Sequence, residues 1–275
     1  MASGVFTVAV CQFVPGAEPR DNLAAVEELA TAAHDRGAEL VVFPEYSSYF
    51  TSPLGRGFVD AAEPLDGPFT SGLAELAGRL RIHLVAGLVE KSGQDRFANT
   101  LVAVGREGDV VATYRKQHLY DAFGARESDW ATPGELAQPQ TFEVGGISVG
   151  MQTCYDLRFP EVTRTLVDAG AELVLVPAQW VPGRLKSHHW RTLLTARAIE
   201  NTVYVAAADH GAPSGVGISM IVDPAGVVLA ELGERERDLA LAPVTRHRLE
   251  EVREANPSLA LRRYGVLPLS GADSS

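Results

Sequence analysis

Cysteine is nearly absent from the chain: two residues, Cys11 and Cys154, among 275. Two thiols cannot build the disulfide framework of a small secreted scaffold, and they point to a reducing compartment. Positive charge is scarce as well, with 24 Lys and Arg against 35 Asp and Glu for a net charge of −11. Phosphate recognition needs a concentrated basic surface, so a nucleic-acid partner is disfavoured. The one dense basic stretch, 246–263, is interrupted by Glu250, Glu251 and Glu254 and reads as a solvated helix face. Long apolar runs are missing too, which leaves no membrane span, and the N-terminus has no basic segment ahead of an apolar core to act as a signal peptide. A cytoplasmic, soluble protein with no membrane partner is expected. The seven histidines form no His-Glu-x-x-His or similar ligand spacing, so neither a metal nor a cofactor is called for.

What is present is an ordinary globular composition, 46% apolar and 21% charged, enough for a full core. Strand and helix signals alternate. Segments 5–13, 40–43, 82–89, 173–176 and 203–207 are short apolar runs of strand type. Segments 21–36, 70–80, 160–169 and 188–200 carry apolar residues at helical spacing, the first stopped by Gly37. Three pairs, 98–104 with 110–114, 141–144 with 147–151, and 218–222 with 227–232, flank glycine-containing turns and read as hairpins. Helical units mixed with hairpins imply layered α/β architecture around mixed sheets. No linker or repeat divides the chain. One domain over 1–275 is expected, with its core at about 5–249 and a C-terminal extension at 250–275 whose last residues, 270–275, are disordered.

Three residues each stand just past the end of a strand. Cys154, in GMQTCYDLRFPE, sits between a strand and a helical pattern, where a side chain is lifted from the sheet and a helix end can lower a thiol pKa. A buried structural thiol is the other reading. Cys11, inside an apolar run, has only the packing reading. Glu45, in LVVFPEYS, lies at the carboxyl end of a strand, where α/β sheets gather their sites. Lys116 follows the strand 110–114. Taken singly, Glu45 and Lys116 read as solvated surface residues rather than as catalytic ones. Residues distant in sequence can converge at strand ends, but spacing alone does not establish that they do.

FPEY at 43–46, YRKQHLYD at 114–121 and TCYDLRFPE at 153–161 resemble the three signature segments of the nitrilase, or carbon–nitrogen hydrolase, superfamily, in its order and near its separations. The resemblance runs over almost the whole chain. It implies a four-layer αββα sandwich with mixed sheets and a Glu–Lys–Cys site at Glu45, Lys116 and Cys154. It also implies that Glu127, in GARESD, lies beside the lysine and helps position substrate and water. YDAFGARES and the segment from Pro177 to Ala207 are most similar to the branch that contains deaminated-glutathione amidases and ω-amidases. In that branch the arginine at the position of Arg158 holds a substrate carboxylate; pairing with Asp156 or Glu161 is the alternative. A homodimer or higher homo-oligomer is implied as well.

The resemblance thus implies an amidase acting on a small carboxylated amide such as deaminated glutathione or α-ketoglutaramate. Glu45 would take the Cys154 proton, and Lys116 with the backbone N–H of Tyr155 would hold the oxyanion. Tyr46 and Trp180 are candidate pocket walls or plain packing. His118 reads as an orienting residue beside Lys116. Arg184, Lys186, His188 and His189 offer positive potential at the mouth or merely a solvated surface. Loops 47–66 and 209–216 match no substrate pattern. A nitrilase or N-carbamoyl amidohydrolase using the same three residues is the alternative chemistry, and a non-catalytic scaffold the alternative of another class.

Overall fold

The computed structural model describes residues 4–269, and the expected disorder of 270–275 lies outside them. Seven strands build one sheet: β1 (Val5–Gln12), β2 (Leu40–Val42), β3 (His83–Lys91), β4 (Phe97–Val104), β5 (Val110–Arg115), the short β6 (Ala131–Thr132) and β13 (Asp238–Thr245). Their order is β13-β1-β2-β3-β4-β5, with β6 paired to β4. The second sheet runs β12-β11-β10-β9-β8-β7, from β7 (Thr141–Val144), β8 (Ile147–Met151), β9 (Leu173–Ala178), β10 (Tyr204–Asp209), β11 (Met220–Val222) and β12 (Val228–Glu231). Both repeat one plan, three central parallel strands (β1-β2-β3 and β8-β9-β10) extended by antiparallel neighbours.

Alternation along the strands decides which face each sheet shows. On β1, Val8 and Val10 point into a core shared with Val149, Leu173, Leu175 and Ala206 of the opposite sheet. Ala9 and Cys11 point the other way, against Val26, Leu29, Leu73 and Leu76 on α1 (Pro19–Asp35) and α3 (Pro68–Leu80). The second sheet turns its outer face to α4 (Pro160–Asp168) and α5 (Lys186–Asn201), packing Val174, Val176 and Val205 on Leu166, Trp190 and Leu194. The layers are therefore helix, sheet, sheet, helix. Each fully buried aliphatic side chain contributes roughly 1.5–3 kcal/mol, so the shared core between the sheets is the main force holding them together. The four-layer arrangement expected from the resemblance is the one the chain adopts.

Three elements differ from the sequence reading. β13 was not anticipated, because its burial alternates and Pro243 interrupts it; it pairs antiparallel with β1 at the edge of the sheet, where a proline is tolerated. A short helix, α2 (Arg56–Asp60), crosses the loop before α3. The basic stretch 246–263 is not simply solvated. It opens with α6 (Arg246–Ala255), whose Arg246 and Arg248 pair with Glu172 and Asp223 at 2.8 Å and tie the helix to the second sheet. No helix among the described residues is long and apolar enough to cross a membrane.

Candidate active site

The carboxyl ends of both sheets open on one cleft of about 1320 Å³, lined by Glu45, Tyr46, Lys116, Glu127, Cys154, Tyr155, Arg158 and Trp180 among others. The first sheet supplies the charges. Glu45 stands in the turn after β2, and its neighbour Tyr46 takes a left-handed φ of 59°. Gly87 on β3 makes that turn possible, since a Cβ there would strike the backbone of Glu45 and Tyr46. Lys116 continues β5 by one residue, its N–H donating to Asn99 O at 2.9 Å. Glu127 opens a 3₁₀ turn, Glu127–Asp129.

These side chains form one buried cluster. Lys116 Nζ donates to Glu45 Oε1 and to Glu127 Oε2, both at 2.8 Å, and all three residues are almost wholly inaccessible to solvent. Asn99 Nδ2 donates to the same two carboxylates, at 2.6 and 3.0 Å. Tyr46 Oη and the Tyr120 N–H complete the shell of Glu127, at 2.7 and 2.6 Å. Burial opposes the Lys116 charge, but Glu127 and Glu45 outweigh it and hold the ammonium well above the ordinary lysine range. Burial likewise opposes ionised Glu127, and Lys116 with the donated hydrogen bonds keeps it below the usual value. Glu45 goes the other way: burial, with Glu127 adding repulsion, raises it despite the pull of Lys116. One carboxylate is thus fixed as an anion while the other is prepared to exchange a proton.

The second sheet supplies the thiol. Cys154 begins the 3₁₀ turn Cys154–Arg158 after β8, with a φ of 45° that L residues rarely adopt. The expected elbow is present, though it leads first into this turn and only then into α4. Cys154 Sγ donates to Gln179 O at 3.5 Å, and Gln179 N–H donates to Glu45 Oε2 at 2.6 Å, so one residue touches both thiol and carboxylate. Burial and then the Glu45 charge push the thiol well above the ordinary cysteine range. The proton therefore rests on sulfur. Cys11 is buried between β1 and the helices, far from this chemistry in environment, and burial raises its pKa as well.

Asp156 locks the two halves together. Its Oδ2 accepts from Tyr114 Oη at 2.7 Å and from Thr153 N–H at 3.2 Å, and its Oδ1 accepts from His118 N–H at 2.9 Å. His118 Nδ1 lies 2.8 Å from Oδ1, and its ring stacks on Phe159, which places it as an orienting residue. Arg158 is paired with neither Asp156 nor Glu161; its guanidinium stands 4.8 Å from the Trp180 ring centroid, and Nη2 is 3.4 Å from His189 Nδ1. Trp180 and Tyr46 both line the cleft, and each also makes a hydrogen bond that packing alone does not require.

With this geometry in view, the profile of the carbon-nitrogen hydrolase family matches residues 7–254. The chain belongs to that family. This carbon–nitrogen hydrolase is 37% identical over 257 residues to a protein of Escherichia coli O157:H7 named deaminated glutathione amidase, covering 94% of this chain and 97% of that one. It is 38% identical over 242 residues to a hydrolase of Mycobacterium tuberculosis, covering 82% and 85%. Among solved structures it resembles the C. elegans NitFhit protein (TM-score 0.85, 32% identity, 96% of this chain and 66% of that chain). It also resembles an amidase of Nesterenkonia sp. AN1 (TM-score 0.75, 29% identity, 93% and 100%), whose structure is described as showing acrylamide added at the active-site cysteine. The hydrolase is therefore an amidase-like enzyme of the nitrilase superfamily, and the scaffold alternative falls away.

Four contributors escaped the sequence reading. Asn99 carried a usable signal, a lone amide inside the apolar strand FANTLVAV. Asp156 entered the sequence reading only as an alternative partner for Arg158. Gln179 acts through its backbone, which no side-chain pattern reveals. His210, in a loop that matched no pattern, donates from Nε2 to Glu45 O at 2.7 Å, and burial holds it neutral with a pKa lowered to about 4.

Proposed function

We propose that this hydrolase is a cysteine-dependent amidase that cleaves a small carboxylated amide through a thioester on Cys154. The observation that carries the reading is Lys116 held between Glu45 and Glu127 at 2.8 Å each, in the cleft that Cys154 lines. Glu45 takes the thiol proton as sulfur attacks the amide carbon, since the raised thiol pKa leaves no standing thiolate. The oxyanion is received by the Lys116 ammonium and the Tyr155 backbone N–H. Glu45 returns its proton to the nitrogen as the C–N bond breaks, and amine or ammonia departs. Water then gives a proton to Glu45 and attacks the thioester, and the leaving sulfur recovers that proton as the acid is released. Glu127, pinned by Tyr46, Asn99 and Tyr120, keeps the lysine charged and aimed.

The carboxylate on the substrate is argued from Arg158, which faces the cleft over Trp180 with no carboxylate partner among the described residues. A guanidinium fork fits a carboxylate with two parallel bonds. The E. coli relative named deaminated glutathione amidase supports this substrate class, with ω-amides such as α-ketoglutaramate second. A screen of ammonia and acid release over ω-amides, deaminated glutathione, N-carbamoyl compounds and nitriles tests it. Turnover of carboxylated amides over neutral ones supports the reading, and preferential nitrile or carbamoyl turnover refutes it. We also propose assembly as a homodimer or larger, with Ile199 exposed on α5 as part of the contact; light scattering showing a monomer at micromolar concentration refutes that.

A further inference from the structure

Lys186 is placed where a lysine should be unstable. It is 6% exposed, and among the described residues it pairs with no carboxylate. It occupies the first position of α5, where the helix dipole repels a cation. Arg158 is close by: both cations lie over the Phe123 ring, at 4.0 Å for Lys186 Nζ and 5.6 Å for the Arg158 guanidinium, and both lie over Trp180 at 5.9 and 4.8 Å. Their separation cannot exceed the sum of either pair of distances. Burial and the Arg158 charge together lower the Lys186 pKa.

The chain nonetheless holds Lys186 firmly. The Trp180 indole N–H donates to Lys186 O at 3.0 Å, and Lys186 Nζ donates to Tyr120 Oη at 2.9 Å. Leu185, just before it, carries a left-handed φ of 61° that brings the lysine into the cleft. Aromatic faces soften the cost of the buried charge without neutralising it. In a chain of net charge −11, acidic residues are plentiful, yet none among the described residues pairs with these two cations. Two close, rigidly held cations that line the cleft without a carboxylate partner among the described residues form a pair suited to an anion.

We propose that Lys186 is a substrate-binding residue that, with Arg158, clamps one carboxylate of the acyl half of the substrate between ammonium and guanidinium. This rests on the reading of the enzyme as an amidase for carboxylated amides, and it adds a second cation to that recognition. The test compares steady-state hydrolysis of glutaramate, the monoamide of a five-carbon diacid, with pentanamide, its neutral counterpart of equal length. Wild type, Lys186→Met, Lys186→Arg and Arg158→Met are measured in parallel, with melting temperatures. Lys186→Met should lose kcat/KM on glutaramate on the order of 10- to 100-fold, mainly through KM, with a much smaller loss on pentanamide. Lys186→Arg should recover most of the loss. The melting temperature of Lys186→Met should equal or exceed that of wild type, because an uncompensated buried cation has been removed. If wild type shows no preference for glutaramate, turnover of neither amide included, both readings fall. If wild type prefers it and Arg158→Met loses the preference while Lys186→Met keeps it, only the role of Lys186 falls. A lowered melting temperature with equal losses on both amides makes the lysine structural and overturns the clamp.

Discussion

Gly87→Ala tests whether the turn that carries Glu45 is held in place by the strand behind it. The added Cβ would lie 2.7 Å from Glu45 C and 2.8 Å from Glu45 Cα, and closer still to Tyr46 N. Gly87 cannot retreat, because its N–H donates to Pro44 O at 3.1 Å and its carbonyl accepts from Ser48 N–H at 2.9 Å. To reach ordinary contact the turn backbone must therefore withdraw by about 1.1 Å at Tyr46 N and about 0.7 Å at Glu45 C, and a misplacement of about 1 Å in a reacting group costs on the order of 10²-fold in rate. Overpacking of this kind removes about 1–3 kcal/mol of stability, so the variant should still fold, melting several degrees lower. The expected outcome is a kcat/KM reduced roughly 30- to 100-fold with circular dichroism unchanged. Gly55→Ala is the control, since a Cβ at that extended position meets nothing within 4 Å. A folded Gly87→Ala enzyme with wild-type kcat/KM would show that the position of Glu45 is not set by this contact.

Cys154→Ala should abolish turnover with the fold intact, whereas Cys11→Ala should keep its rate and lose some stability from the cavity left between β1 and the helices; equal rate losses in the two variants would remove Cys154 from its role. Asn99→Ala takes away a hydrogen bond that favours ionised Glu45, so the acid limb of kcat/KM should move to higher pH, and an unmoved limb speaks against Glu45 as the base. His210 has its folded pKa lowered to about 4 from 6.5, so the unfolded chain binds the extra proton between those values. Stability is then fully present above pH 6.5 and falls by about 3 kcal/mol as pH drops toward 4. Denaturant midpoints of His210→Gln across that range should show a shallower decline than wild type, and parallel curves would contradict the assignment.

How much of this was legible in the sequence depends on what each residue does. The strands of the shared core were readable because Val8, Val10, Val42 and Val149 sit in apolar runs, and the period of side chains along a strand shows directly in such runs. Glu45, Lys116 and Cys154 were found as strand-end residues, and the signature segments around them gave their company. β13 was illegible because an edge strand needs only half its side chains buried. Gln179 and Gly87 were illegible for another reason: one works through its peptide groups and the other through the absence of a side chain. Neither property depends on a pattern in the neighbouring letters. The ion pairs of α6 were missed because Glu172 and Asp223, their partners, are 74 and 25 residues away from the arginines they bind.

The division of the site between two sheets has a consequence for how the chain comes to life. Glu45, Asn99, Lys116 and Glu127 all hang from the first sheet; Cys154, Gln179 and His210 all hang from the second. Synthesis delivers the acidic and basic cluster by residue 127, before the thiol exists, yet the first sheet is closed only when β13 pairs with β1 at the far end of the chain. Until the sheets dock, Cys154 lacks the neighbour, Glu45, that the proposed mechanism uses as its base. Docking is also what brings the Gln179 peptide against Glu45 and the His118 segment against Asp156. On the proposed mechanism, a chain whose sheets are still apart lacks the pairing of base and thiol, so hydrolysis would begin only when the two halves of the polypeptide meet.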